Sequence, residues 1–362
     1  MTSSAAVLDQ QALPELEAST HAVAQEARRG LTAPRKFLAP WLFYDEAGSE
    51  LFEQITALPE YYLTRTERAL FTTHANDIFA ELGLTATGPA SGLAASAPSE
   101  VPPTLTIAEL GAGTASKTGI LLRALTRLQP SVLYQPIDIS PSALDQACAQ
   151  IERTIPGVIV RPHIANYVTD GFSIARPASA RVLALYIGSS IGNFSPAEAR
   201  AILTRLRAQL QPGDALLLGT DLAPSLPGTT PQKSVSILLA AYNDSAQVTA
   251  AFNRNVLVRL HRELGANFDP ARFAHRALWN PMHSRIEMHL ESLAAQTVAI
   301  PANSAGPALS VSFAPGETIH TENSYKFTPA ALAALLAAAR FTPTRTFTDS
   351  ANLFAVTLAL AV

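Results

Sequence analysis

TLTIAELGAGTASKTGILLRALTRLQPSVLYQPID, residues 104–138, passes from an apolar run through a glycine turn and an apolar-periodic segment to a second apolar run that ends in a carboxylate. Thr104–Leu110 predicts a short strand, Gly111 and Gly113 a tight turn, Thr118–Leu128 a helix, and Ser131–Ile139 the next strand. Moving outward, the same rhythm repeats. Ser142–Arg153 predicts a helix and Val158–His163 a third short strand. Val182–Ile187 (VLALYI) is a continuous apolar strand, and Pro196–Leu210 a helix started by a proline after Ser195. Ala215–Thr220 (ALLLGT) is another strand, closed by Asp221. Strands that are apolar throughout, alternating with helices, indicate a parallel, doubly wound sheet. Past Asp221 the pattern changes. Ser234–Leu260 reads as helical, Arg285–Leu293 alternates like a strand, and Val311, Phe313 and Ile319 suggest more strand. Pro329–Ala339 and Leu353–Leu360 then supply a helix and a late strand. The expected fold class is α/β, a Rossmann-like sheet interrupted by a smaller α+β subdomain.

Composition narrows the function classes. In 362 residues, 48% are hydrophobic and 15% charged, with net charge −3 and pI near 6.2. No Lys/Arg-rich run offers a surface for a nucleic-acid backbone, so nucleic acid is not an expected partner. The single cysteine, Cys148, excludes an intramolecular disulfide and any cysteine-based zinc site. The eight histidines show no metal-ligand spacing, so no metal is expected. No run of about 18 apolar residues exists, and Ala330–Ala339 reads as a short buried helix, so no membrane span is expected. Met1–Gly30 lacks the apolar core of a signal peptide. A cytoplasmic location is expected, and a monomer, because no exposed apolar seam stands out.

At the N-terminus, residues 1–33 predict a loosely held helix or flexible arm. After Asp45-Glu46-Ala47-Gly48, Leu51, Phe52 and Ile55 share one helical face. Thr64 and Glu67 have capping-box spacing, which predicts a helix running toward Ile78. Gly83–Pro103 has the composition of a linker or surface loop.

Gly111 and Gly113 let the backbone turn sharply and approach a ligand. Asp138 ends the second strand, where a carboxylate can accept the two hydroxyls of a ribose. Asn166 and Tyr167 follow the third strand, where such folds place an amide or carboxylate on an adenine amine and an aromatic on its face. A nicotinamide cofactor would also use Asp138. The third glycine of GxGxxG is missing, however, with Ser116 and Lys117 in that region, so a pyrophosphate is disfavoured. The glutamate just ahead of the glycines has the form usual in methyltransferases.

Further motifs lie along most of the chain: Phe43-Tyr44-Asp45, Gly48-Ser49-Glu50-Leu51-Phe52, Leu58-Pro59-Glu60-Tyr61-Tyr62, Gly188-Ser189-Ser190-Ile191-Gly192-Asn193, Ala251-Phe252-Asn253-Arg254-Asn255, Arg285-Ile286-Glu287-Met288 and Thr321-Glu322-Asn323-Ser324-Tyr325-Lys326-Phe327. Together with the glycine turn, they resemble the histidine-specific Nα-methyltransferases of ergothioneine biosynthesis, from about Pro34 to Phe354. The resemblance leaves out the 83–103 loop and an insertion near Ala223–Lys233. It implies S-adenosylmethionine as the cofactor, lined by Gly111, Gly113, Lys117, Asp138, Asn166 and Tyr167, and free histidine as the substrate. The family more often has Asp where Asn166 stands. The resemblance also implies that Asn193 and Tyr242 hold the amino acid head, with Gly188 and Ser190 nearby. Tyr44, Phe52, Tyr61, Met288, Glu322 and Ser324 would form the walls and polar contacts of its pocket, with Glu322 and Ser324 on the imidazole. Asn193, Tyr44 and Tyr61 are the residues expected closest to the chemistry. The matching domain plan places a flexible arm at 1–33, a substrate-binding subdomain at 34–65 and 226–326, and the methyltransferase domain at 66–225 and 327–362.

These residue types suit methyl transfer to an amine. The nitrogen attacks only as the neutral free base, so much of the work is alignment of nitrogen, methyl carbon and sulfur. Asn193 can orient the amine without adding a full charge. Tyr44 and Tyr61 offer hydrogen bonds and an aromatic wall to the growing cation. Glu322 can accept an imidazole N–H. Arg65 and Arg254 read as structural. Two other readings stay open from sequence: methylation of another amino acid or small amine, and a non-catalytic S-adenosylmethionine-binding protein.

Overall fold

Apolar runs bounded by glycine, proline or polar residues become the strands of the main sheet. The structure, a computed structural model, describes residues 12–85, 104–168, 171–225 and 233–362. The chain opens with α1 (Ala12–Leu31), a 3-10 turn at Pro40–Phe43, α2 (Glu46–Ala57) and α3 (Tyr62–Glu81). Then follow β1 (Leu105–Leu110), α4 (Thr118–Leu125), β2 (Val132–Asp138), α5 (Pro141–Thr154), β3 (Val158–Val160), β4 (His163–Ile164) and β5 (Arg181–Tyr186). A 3-10 turn at Ser190–Asn193 leads to α6 (Pro196–Ala208), β6 (Ala215–Asp221), α7 (Val235–Tyr242) and α8 (Val248–Leu264). The remainder is β7 (Phe273–Asn280), β8 (Arg285–Ser292), β9 (Gln296–Ile300), β10 (Leu309–Phe313), β11 (Thr318–Tyr325), α9 (Pro329–Ala338), β12 (Phe341–Thr348) and β13 (Phe354–Ala361).

The chain divides into two units. The sheet unit comprises Tyr61–Leu238, Pro281–Arg285 and Ser324–Val362. Its sheet has the order β12-β13-β6-β5-β1-β2-β3, with β4 also on β2. Strands β1, β2, β3, β5 and β6 are parallel, and β13 runs antiparallel between β6 and β12. The registers Leu110↔Ile137 and Tyr186↔Leu218 bring the carboxyl ends of β1, β2, β5 and β6 to one edge. The strand order reverses there, with β2 on one side of β1 and β5 on the other, and that edge is where such sheets bind ligands. Ala108, Val182, Ala184 and Leu216 form one face of the core with Ile202, Leu203 and Leu206 of α6 and Leu332 and Leu336 of α9. A capping box starts α6: the Ser195 hydroxyl accepts from Glu198 N, and the Glu198 carboxylate accepts from Ser195 N.

The other unit comprises the described residues up to Glu60, with Leu239–Asn280 and Ile286–Asn323. Here α1 and α2 pack on α8. Strands β11, β8 and β7 form one small sheet, and β9 and β10 an antiparallel pair.

Several sequence expectations are corrected. The described part of the 1–33 arm is not loose, since Val23, Ala24, Ala27 and Leu31 are buried on one face of α1. Two of those four are alanines, so few large apolar side chains mark the face in the sequence. Thr64 caps nothing: α3 begins at Tyr62, and Glu67 is turned inward instead. The stretch Ser234–Leu260 is two helices, broken at Asn243–Gln247, where Asp244 accepts from the amides of Val248 and Thr249. Helix α9 is mostly exposed and buries only Leu332 and Leu336. The unit boundary falls at Glu60/Tyr61 rather than after Arg65, because α3 is one piece packed on α4 and β13. Strands β7, β9 and β12 were not anticipated. Apart from Gly83, Leu84 and Thr85, the 83–103 loop lies outside the described residues, as does most of the Ala223–Lys233 insertion. Among the described residues, no helix is long and apolar enough to cross a membrane.

Candidate active site

Strand β1 delivers the chain into a turn that needs its glycines for conformation. Gly111 has φ +67° and Gly113 φ +50°, in the left-handed region where an L side chain is strained. Among the described residues, a Cβ on Gly113 would meet nothing within 4 Å, so these leave space beside the turn for a ligand. Asp138 braces this turn. One carboxylate oxygen accepts from Gly113 N at 2.9 Å and the other from Ser140 N at 3.0 Å. Each oxygen keeps a lone pair for a ribose hydroxyl.

Tyr167 lies against the same turn, its hydroxyl 3.5 Å from where a Cβ of Gly111 would stand. Its ring meets Tyr186 edge-on at 5.7 Å, and burial pushes its hydroxyl pKa up to about 12. The Asn166 side-chain oxygen accepts from Val168 N at 3.0 Å, and Arg205 donates to the carbonyls of Tyr167 and Val168. This loop is thereby fixed to α6. The open turn, the carboxylate and the aromatic together fit a nucleoside cofactor.

Glu109, two residues before Gly111, is taken up by partners inside the fold. It is buried and accepts from the Thr118 hydroxyl, at 2.7 and 2.8 Å to its two oxygens, and from the Tyr134 hydroxyl. Burial raises its pKa to about 7 against the lowering effect of those bonds and of the Lys117 charge.

The next edge position is built by Gly188–Asn193 after β5. Gly188 has φ +76° and donates its N–H to both oxygens of Glu67, 2.9 Å each. The same carboxylate pairs with Lys117. The Ser190 hydroxyl donates to Ile187 O, and Ser189, at φ +59°, accepts Asp221 N on its hydroxyl at 2.9 Å. Gly192 is required by packing, since a Cβ there would stand 2.7 Å from Tyr325 O. Asn193 closes this 3-10 turn and is half-buried.

At the end of β6 lies a fully buried charge cluster that sequence reading missed. Asp221 accepts from the Tyr62 hydroxyl at 2.7 Å and pairs with Lys233 at 2.5 Å and Lys326 at 2.7 Å. Burial acts to raise the Asp221 pKa, but the charges of Lys326 and Lys233 outweigh it and hold the carboxyl below its usual range. Burial lowers Lys233 to about 8, against the pull of Asp221. Lys326 in turn donates to the hydroxyl of Ser324 at 2.8 Å, tying one expected substrate residue to the sheet unit. Tyr61, just before α3, is buried in the same unit.

In the other unit, Tyr44 and Phe52 pack edge-on at 5.8 Å, and both contact Phe252, at 5.9 and 6.0 Å. Asp45 fixes this group by capping α2 through Gly48 N and accepting from Asn255 and Arg262 of α8. A hydrogen-bonded chain starts at Tyr242, whose carbonyl accepts from His275 Nε2 at 2.8 Å. Asn253 donates to His275 Nδ1 at 2.8 Å and to His289 O, and accepts from the Thr321 hydroxyl at 2.7 Å. That network assigns the Nε2–H tautomer, and burial lowers the His275 pKa, keeping the ring neutral. Met288 is buried on β8, and Glu322, 9% exposed, lies on the neighbouring β11. Among the described residues, no group of three or more His, Cys, Asp or Glu could hold a metal ion.

Sequence reading also missed Glu67 and Asn253. Gly219, in the middle of an otherwise bulky strand, was the available signal for Glu67, because strand glycines mark close approaches.

The sheet order and this cofactor face define a Rossmann-like, S-adenosylmethionine-dependent methyltransferase. The chain belongs to the histidine-specific, SAM-dependent methyltransferase family, whose profile it matches over residues 23–361. It is 39% identical over 344 residues to the histidine N-alpha-methyltransferase of Mycolicibacterium smegmatis, covering 95% of this chain and 96% of that protein. It is 38% identical over 338 residues to the enzyme of the same name from Mycobacterium tuberculosis, covering 93% and 94%. Ergothioneine biosynthesis protein 1 of Neurospora crassa is 29% identical over 234 residues, 64% of this chain and 23% of that protein.

Proposed function

We propose that this protein methylates the α-amino nitrogen of free L-histidine, three times in succession, giving the trimethylated betaine hercynine as a step toward ergothioneine. The observation that carries the reading is the nearly full-length match to the histidine N-alpha-methyltransferase of Mycolicibacterium smegmatis. S-adenosylmethionine supplies a methyl group made electrophilic by its sulfonium. Asp138 takes the ribose hydroxyls, Asn166 and Tyr167 the adenine, and Gly111, Gly113 and Lys117 the remainder of the cofactor. Asn193 and Tyr242 hold the amino acid head, with Gly188 and Ser190 beside them. Tyr44, Phe52, Tyr61 and Met288 shape the pocket, and Glu322 and Ser324 read the imidazole.

Asn193 presents a neutral oxygen to the amine and orients it without stabilising its protonated form as a carboxylate would. Tyr44 and Tyr61 face the cation that grows as each methyl is added. Alignment carries much of the rate, because the attack is a single in-line displacement. The protein is proposed to act in the cytoplasm as a monomer on a small molecule, with neither nucleic acid nor membrane as partner.

Incubation with S-adenosylmethionine and each of the twenty amino acids, followed by mass spectrometry, tests the reading. Methylation confined to histidine is expected. A different methylated amino acid would overturn the substrate assignment, and cofactor binding without any product would overturn the enzymatic one.

A further inference from the structure

We infer that Glu67 is a positioning residue for the cofactor end of the site: its carboxylate holds Lys117 and the Gly188 turn in one arrangement, and this sets the affinity for S-adenosylmethionine. The inference rests on the assignment of Lys117 to the cofactor. Glu67 reaches from α3 to the carboxyl edge of the sheet, where its side chain is fully buried and that of Lys117 is 17% exposed. Two glycines from separate parts of the chain accommodate it and its lysine partner. Gly219, inside β6, lacks the Cβ that would stand 2.0 Å from Glu67 Oε1. Gly188 adopts φ +76° and points its N–H between the two carboxylate oxygens. A Cβ on Gly188 would also crowd the Lys117 ammonium, 3.0 Å away.

Lys117 stands at the start of α4, immediately after the glycine turn. An ammonium has three donors, and Glu67 takes one of them, orienting the others. A lysine held in this way is a preorganised donor for an anionic ligand group, such as the carboxylate of the cofactor's amino acid portion. Without Glu67 the flexible lysine stem would have to be ordered on binding, which weakens affinity. The pair also keeps this corner electrically neutral, so Lys117 does not place an uncompensated positive charge beside a sulfonium.

The test is titration calorimetry of S-adenosylmethionine into the full-length protein and its Glu67→Gln, Lys117→Gln, double and Gly219→Ala variants, with folding followed by circular dichroism melts. Glu67→Gln is expected to weaken binding roughly tenfold. The double variant should be no weaker than Lys117→Gln, because Glu67 acts through the lysine. Gly219→Ala, which displaces the carboxylate while keeping every charge, should behave like Glu67→Gln. Wild-type affinity in folded Glu67→Gln, or losses that multiply in the double variant, would overturn the inference. If Glu67→Gln does not fold, wild-type affinity in Gly219→Ala overturns it equally. Wild-type affinity in Lys117→Gln would instead overturn the cofactor assignment on which the inference rests.

Discussion

The sheet unit and the other unit hold their candidate site residues in place by different means. In the sheet unit the topology does the placing. Gly111, Asp138, Gly188 and Asp221 come from four strand ends that parallel register brings to one edge. In the other unit Tyr44 and Phe52 are held by aromatic packing on Phe252, and Tyr242 through a histidine and an asparagine. The first arrangement can be read from local sequence, since strand ends and glycines announce themselves. The second depends on side chains far apart in the chain. The proposed division is that the cofactor is held by the sheet unit alone, whereas the amino acid draws on Tyr61, Asn193 and Ser324 of the sheet unit and on Tyr44, Phe52, Tyr242, Met288 and Glu322 of the other.

The largest expected effect lies just before the glycine turn and is a stability effect. Glu109 is buried, with a pKa raised from 4.5 to about 7, so the folded state holds its proton more tightly than the unfolded chain. The stability it contributes is therefore fully present below pH 4.5 and is lost as pH rises through about 7, a difference of about 3 kcal/mol. Urea melts at pH 5 and pH 8 should show Glu109→Gln losing less stability than the wild type between those conditions. Equal losses would show that Glu109 ionises in the fold without cost.

Next in size, Asp138→Ala removes both the brace on Gly113 and Ser140 and the proposed ribose acceptor. Cofactor affinity should fall about a hundredfold, from two lost charge-assisted bonds. The other unit gives the converse. Glu322→Ala should raise the histidine KM about tenfold, with cofactor affinity unchanged. If either variant weakened cofactor and histidine alike, the proposed division would be broken. Smallest is Asn166→Asp, which restores the more usual family residue and keeps the oxygen that accepts from Val168 N. Cofactor affinity should move by less than about threefold.

The β1–turn–β2 segment was legible because its information is local: apolar runs, two glycines and a terminal carboxylate. Glu67 was misread for the complementary reason. The spacing from Thr64 satisfied a local capping rule, while its real partners, Lys117 and Gly188, lie 50 and 121 positions away. Strand β12 escaped notice because it is an exposed edge carrying Pro343 and Arg345, with a register shift between them, as edge strands often do. Helix α1 was hidden by composition. The roles proposed for Met288 and Glu322 rest only on the family resemblance, since a buried methionine and a strand carboxylate carry no chemical signature alone.

A time course with S-adenosylmethionine and histidine, read by tandem mass spectrometry that locates each added methyl, tests the central claim most directly. Mono-, di- and trimethylated histidine, formed in that order and with every methyl on the α-nitrogen, is the expected result. Methyl on an imidazole nitrogen, or no product from a protein that binds the cofactor, would contradict it.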